Sequence, residues 1–185
     1  MLFRSKDRLK IAVANTRIHE DNFQKIVRDE PNRTYRRYQE LSLLLNKAIS
    51  EGADMLILPE AFLPFEWIPT LARTCEKNQL AVVTGVEYLK IGNSGKKYLK
   101  NGNSGKIYNL TAVILPYKDK HEYESSYIGF HLKRHYAPVE IKNIEGYRLK
   151  PVAGDHYELY CWNDCWFPVY CCYELASIKD RSLFQ

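Results

Sequence analysis

Between residues 9 and 89, three short runs of branched and small apolar residues (LKIAVAN, ADMLILPE and LAVVTGVEYL) alternate with stretches whose apolar positions recur every three or four residues. Such a chain buries the runs as strands and lays amphipathic helices against them, which predicts an α/β layer fold. In the first helical stretch, residues 31–52, Tyr35, Tyr38, Leu41, Leu44, Leu45, Ala48 and Ile49 share one face. Arg36, Arg37, Glu40 and Lys47 fall mostly on the other, and Gly52 stands where a left-handed C-terminal cap is expected. The strand in ADMLILPE is predicted to stop at Pro59, because proline cannot donate to a ladder. A second helix is predicted over residues 66–78. Beyond residue 88 the rhythm changes: SYIGFHLKRHY, HYELYCW and WFPVYCC have strand-like content, and YELASIKDRSLF reads as a helix opening after the last of them. No linker rich in Pro, Ser or Gly divides the chain, which predicts one domain over residues 1–185.

The 185 residues are 45% hydrophobic and 26% charged, enough for one soluble globular domain with a real core. The formal charge of +5 permits an acidic partner without demanding one. Its excess is concentrated in residues 90–106, which hold five lysines and no acid. There the motif GNSGK occurs twice, at residues 92–96 and 102–106, between two strand-like runs. The reading is a basic hairpin insertion with a duplicated tip. A solvated loop is its ordinary role; the sharper one is nucleic-acid contact through Lys96, Lys97, Lys100 and Lys106, with Tyr98 among them. The glycine spacing and the absence of Ser or Thr after Lys96 and Lys106 exclude a P-loop.

The N-terminal apolar run is too short for a secretory signal, and no stretch is long enough for a membrane span, so a cytoplasmic protein with reduced thiols is expected. Cys161, Cys165, Cys171, Cys172 and His156 lie close in sequence, but their spacing argues against zinc, and no metal is assigned.

Three places carry candidate chemistry. In LILPEAF a buried strand delivers Glu60 to the carboxyl edge of a sheet, where a shielded carboxylate would have a raised pKa and act as a general base; a helix cap or surface acid is the ordinary alternative. In HLKRHYAPVE, Lys133 ends a strand-like run, with Glu140 seven residues on. Pointing inward beside Glu60, its ammonium would hold the carboxylate and stabilise an oxyanion; outward, it belongs to a solvated basic cluster. In VYCCYELA, strand alternation keeps Cys171 and Cys172 from sharing a pocket unless the strand stops between them. Cys172 would then sit at a helix N-terminus that lowers its thiol pKa, while Cys171 packs in the core. Packing is also the ordinary role for both. Trp67 and Trp166 are candidates for pocket lining or for plain packing.

A glutamate after LILP, a lysine in KRHYAPVE and a cysteine in CCYELA, in that order and each at a strand end, resemble the signature of the nitrilase or carbon–nitrogen hydrolase superfamily. The resemblance runs from Leu9 to Phe184. It implies two β-sheets between helical layers, and a thiol enzyme acting on an amide or nitrile carbon without a cofactor. Carried over, Cys172 is the nucleophile, Glu60 the base and Lys133 the oxyanion-side cation; Glu140 supports the site, and the Tyr173 backbone N–H joins the oxyanion donors. Within the superfamily, HYAPVE, GYR, CYELA and DRSLF look most like the nitrilase-like domain attached to bacterial defence-associated reverse transcriptases. That likeness implies a larger parent polypeptide with a nucleic-acid partner.

Two features depart from the family. One residue separates Pro138 from Glu140 where the commoner pattern has two, and the chain stops a dozen residues after Cys172, where the family continues with further strands and helices. The resemblance therefore implies a truncated sandwich with exposed sheet surface. An inactive binding or scaffold domain is the alternative to the hydrolase. Substrate identity and oligomeric state, a homo-oligomer included, are open at this level.

Overall fold

The protein is described by a computed structural model covering residues 8–16, 20–28, 30–91 and 105–182. Its first half contains β1 (Ile11–Val13), α1 (Glu20–Ile26), α2 (Tyr35–Ser50), β2 (Met55–Leu63), α3 (Ile68–Asn78) and β3 (Ala81–Val86). There follow β4 (Leu89–Ile91), β5 (Gly105–Tyr108), β6 (Leu110–Lys118), β7 (Glu124–Leu132) and α4 (Pro138–Gly146). The chain continues through β8 (Leu149–Pro151), β9 (Leu159–Trp162), β10 (Cys165–Pro168) and α5 (Ile178–Ser182).

The main layer is a five-stranded sheet in the order β1-β2-β3-β6-β7. Strands β1, β2 and β3 are parallel; β6 and β7 add on antiparallel. Because side chains alternate along a strand, neighbouring residues serve opposite faces. Leu56, Leu58, Val82, Ala112 and Ile114 face α2 and α3, meeting Leu41, Leu45, Ala48, Leu71 and Cys75. Met55, Ala81, Val83, Val113 and Leu115 face the other way, against Tyr160, Trp162 and Val169 of the β9–β10 region. Each fully buried side chain of this size contributes roughly 1.5–3 kcal/mol, so the two covered faces hold the layers together far more than helix propensity does.

The helices end where their sequence stops them. Thr34 caps α2 by accepting from Arg37 N at 3.3 Å, and Gly52 follows its last turn at φ +65°. The predicted helix over 66–78 resolves into a 3-10 turn, Phe65–Trp67, and α3, with Gln79 left-handed at the cap. Strands β4 and β5 pair antiparallel, and β8 joins β5 in parallel to make a three-stranded sheet. Both copies of GNSGK, apart from Gly105 and Lys106, lie outside the described residues, as do Lys96, Lys97 and Lys100; Lys106 is an exposed residue of β5. No helix among the described residues is long and apolar enough to cross a membrane.

Two elements differ from the sequence expectation. Strand β2 runs through Pro59 to Leu63, because its pairing with β3 lapses between Leu58 and Leu63 and the missing N–H falls in that gap. The segment after β10 forms a five-residue 3-10 turn, Cys172–Ala176, and the short α5 rather than one helix, and β10 itself ends at Pro168, before either cysteine of the pair.

Candidate active site

Glu60 sits in the irregular part of β2. The residue after it, Ala61, takes φ +52°, a left-handed conformation uncommon for alanine, and the kink re-aims the strand. Strand β3 passes close beneath: a Cβ on Gly85 would lie 2.4 Å from Glu60 Cα and 2.6 Å from Ala61 N. Only glycine lets the two backbones approach this closely.

Lys133 follows β7 directly and is 1% exposed. Its backbone N–H donates to Asn109 O at 3.0 Å, which fixes the chain at the point where the strand ends. Its ammonium donates to Glu60 Oε1 at 2.9 Å and to Glu140 Oε2 at 2.7 Å, and lies 5.3 Å from the centre of the Tyr136 ring. Glu140 arrives through α4, an element the sequence reading did not anticipate: Pro138 opens the helix, and Glu140, in its first turn, also accepts from Ala137 N at 3.3 Å. The single residue between Pro138 and Glu140 therefore does not keep this carboxylate from the lysine.

Two further side chains complete the cluster, neither picked out from the sequence. Asn109 is fully buried between β5 and β6, and its amide donates to Glu60 Oε1 at 2.7 Å and to Glu140 Oε1 at 3.2 Å. Tyr88 donates its hydroxyl to Glu140 Oε1. A lone Asn inside the apolar pattern IYNLTAV was the available signal for the first, since a buried amide needs partners. Tyr88 carried no comparable mark.

The electrostatics correct one expectation. Burial pushes the Glu60 carboxyl upward, but hydrogen bonding and charge from Lys133, with the Asn109 amide, outweigh it and hold the group below its ordinary value. Glu60 is thus an ionised acceptor, not a carboxyl kept neutral by shielding. Lys133 is driven the other way: burial opposes its charge, yet Glu140, Cys171 and Glu60 together raise its pKa. Burial and Glu140 push the Tyr88 phenol far up, so it stays a donor.

The cysteines are placed by a turn. Cys171 is extended at φ −107°, while Cys172 takes φ +50° as the first residue of the 3-10 turn. A non-glycine residue held left-handed costs on the order of 1–3 kcal/mol, and such strain concentrates at functional turns. It also breaks the alternation that would send the two thiols apart: both interact with the Glu60 carboxylate. Cys171 is buried, as expected of a core residue, and yet faces the cluster; Cys172 is exposed. Partial burial and then Glu60 raise the Cys172 thiol above its ordinary value, with Lys133 opposing. The predicted lowering by a helix N-terminus is therefore overturned, since the turn is too short to supply a dipole of that kind and an anion lies alongside.

The Tyr173 side chain is exposed. Trp67 packs against the core beside Tyr38, with ring centres 5.8 Å apart, and Trp166 is exposed on β10. Cys161 and Cys165 sit on the paired strands β9 and β10, and among the described residues no three His, Cys, Asp or Glu side chains could hold a metal ion.

Chemically, the cluster sets one buried cation between two carboxylates, with a thiol at the rim beside the less buried of them. It can take a proton from sulfur and oppose negative charge developing nearby.

No family profile matches the sequence, and no curated protein does. Among solved structures, the chain is similar to a mutant amidase from Nesterenkonia sp. AN1 that carries the product of Michael addition of acrylamide at its active-site cysteine. The TM-score is 0.55 at 13% identity, over 94% of this chain and 61% of that one. It is also similar to glutamine-dependent NAD+ synthetase from Acinetobacter baumannii, with TM-score 0.51 and 19% identity, over 95% of this chain and 30% of that one. The chain thus spans about three fifths of the amidase and under a third of the synthetase. What these likenesses show is the fold: the chain has the mixed α/β, nitrilase-type architecture of that amidase.

Proposed function

We propose that this protein is a thiol hydrolase that cleaves a non-peptide carbon–nitrogen bond, in an amide or a nitrile, with Cys172 as nucleophile, Glu60 as general base and Lys133 as oxyanion-side cation. The observation that carries the reading is the buried Lys133 ammonium held between Glu60 and Glu140, with the thiols of Cys171 and Cys172 both interacting with Glu60 and Cys172 the exposed one of the two.

A raised thiol pKa means that Cys172 keeps its proton until a substrate is in place. Glu60 then accepts that proton as sulfur bonds to the carbonyl carbon. Lys133, with the Tyr173 backbone N–H, opposes the charge that develops on oxygen; a donor of this type is worth roughly 3–4 kcal/mol elsewhere. When the tetrahedral species collapses, the C–N bond breaks, the proton on Glu60 passes to the leaving amine, and a thioester remains. Water, deprotonated by Glu60, attacks the thioester; the acid leaves and the proton returns to sulfur. A nitrile takes the thiol proton on nitrogen as a thioimidate forms; one water adds to it and ammonia leaves, giving the same thioester, and a second water releases the acid. Glu140 and Asn109 hold Lys133 and Glu60 in register throughout.

The test is hydrolysis of a panel of short amides and nitriles, read as ammonia release. Cys172→Ala is expected to abolish turnover and Cys171→Ala to leave most of it. Equal loss from both would refute the assignment.

A second reading follows from the share of the amidase that the chain spans: a nitrilase-like binding domain, without turnover, of a larger cytoplasmic protein that meets nucleic acid, as in the defence-associated reverse transcriptases. The lysines of residues 90–106 would supply its basic contacts. Turnover in the panel excludes it; absent turnover, together with strongly salt-dependent nucleic-acid binding that is lost on replacing those lysines, would establish it.

A further inference from the structure

Glu174 lies two residues past the proposed nucleophile and is completely buried. Its carboxylate spans two parts of the chain that are distant in sequence. Oε1 accepts from Arg134 N at 2.8 Å and from Arg134 Nε at 3.3 Å. Oε2 accepts from Cys171 N at 2.6 Å and from His131 Nε2 at 2.8 Å. His131 in turn contacts Glu158 through Nδ1 at 2.7 Å. The residues held on one side are those that flank Lys133; the residue held on the other adjoins Cys172.

We propose that Glu174 is a positioning residue, a buried strut whose two oxygens tie the backbone at Arg134 to the backbone at Cys171 and so set the Cys172 thiol against Glu60 and Lys133. The 3-10 turn has five residues and its first one is strained, so it does not hold this geometry unaided. A carboxylate suits the task because it is acceptor-only: both oxygens face backbone N–H groups, and both are charge-assisted by the His131 and Arg134 side chains. A glutamine there would turn an NH2 toward one of the two N–H groups, and one side of the strut would open.

The inference rests on the proposed thiol centre, and one experiment separates the two. Each cysteine of the whole chain is alkylated with iodoacetamide across a pH series and quantified by peptide mass spectrometry, in wild type, Glu60→Gln, Glu174→Gln and Glu174→Asp. In wild type, Cys172 is expected to titrate above an ordinary thiol, with the elevation reduced in Glu60→Gln to the part that burial supplies. In Glu174→Gln its midpoint is expected to fall toward that of a free cysteine, about 8.5, while buried Cys75 remains unlabelled and so reports an intact core. Should Cys75 become labelled in Glu174→Gln, the Glu174→Asp variant, whose shorter carboxylate reaches only one side, is held to the same expectation. An elevated midpoint that persists in the Glu174 variants with Cys75 protected would overturn the strut alone. A wild-type Cys172 that titrates as a free thiol would overturn the centre and the strut together.

Discussion

Replacing Lys133 by methionine would leave Glu60 and Glu140 facing each other, mostly out of water, with no cation between them. Breaking a buried pair by removing one partner destabilises by about 3–5 kcal/mol; Glu60 keeps some contact with water, so roughly 2–3 kcal/mol is expected near neutral pH. The deficit should shrink as pH falls toward about 5, because two unpaired carboxyls take up protons more readily than they do in the unfolded chain. Urea unfolding at both pH values checks this, and a deficit that does not change with pH would contradict it. Glu174 gives the opposite signature. Burial raises its carboxyl, but His131 and the N–H groups of Arg134 and Cys171 hold it down to about 2, against an ordinary 4.5. Its stabilisation is therefore complete above the ordinary value and lost as pH falls through about 2, a contribution of roughly 3 kcal/mol. Acid unfolding should accordingly cost wild type that much more than Glu174→Gln over the same window. Burial lowers His131, yet Glu174 and Glu158 leave it raised, so its contribution is present below its ordinary value and fades as pH climbs through the raised one. At this scale the sequence carried the chemical types at Glu60, Lys133, Glu140 and Cys172. It did not carry their ionisation, because that depends on which charges the fold brings alongside.

Among the elements, the pair β2–β3 decides where the general base stands. A methyl group on Gly85 would meet the backbone of Glu60 and Ala61 well inside van der Waals distance, and backbone cannot move aside as a side-chain tip can. Gly85→Ala is expected to destabilise by about 1–3 kcal/mol and, in the fraction that stays folded, to reduce hydrolysis at least tenfold by displacing Glu60. Thermal melts and kcat measured on the same samples check this; unchanged activity would show that the close approach does not position the base. Both features were partly legible. An isolated glycine inside VVTGV marks a bulge or a close backbone approach, and Pro59 announced an interruption, although the interruption is a lapse in pairing inside the strand rather than its end. Helix α4 had its own signals in Pro138 and Glu140, a proline opening and an acid in the first turn, but only nine residues with one buried side chain, too weak an apolar stripe to read. The turn at Cys172 was beyond sequence reasoning, since a left-handed cysteine is imposed by its surroundings and not by its own preference.

Across the whole molecule, the layers follow from local pattern: parallel strands apolar on both faces need cover on both, and α2 with α3 on one side and β9–β10 on the other supply it. How the strand ends converge is a long-range matter, set by register between residues as far apart as Glu60 and Lys133, and no short window of sequence contains it. The five cysteines sample these layers: Cys75 in α3 beneath the sheet, Cys161 and Cys165 on the β9–β10 hairpin, Cys171 and Cys172 at the cluster. The most direct test of the central claim is therefore the rate at which acrylamide adds to each of them in wild type and in Glu60→Gln. A Glu60–Lys133–Cys172 centre predicts addition at Cys172 that speeds up in Glu60→Gln near neutral pH, because the anion that helps hold the thiol protonated is gone, while Cys161 and Cys165 are unaffected. Addition at Cys172 that is indifferent to Glu60 would contradict it.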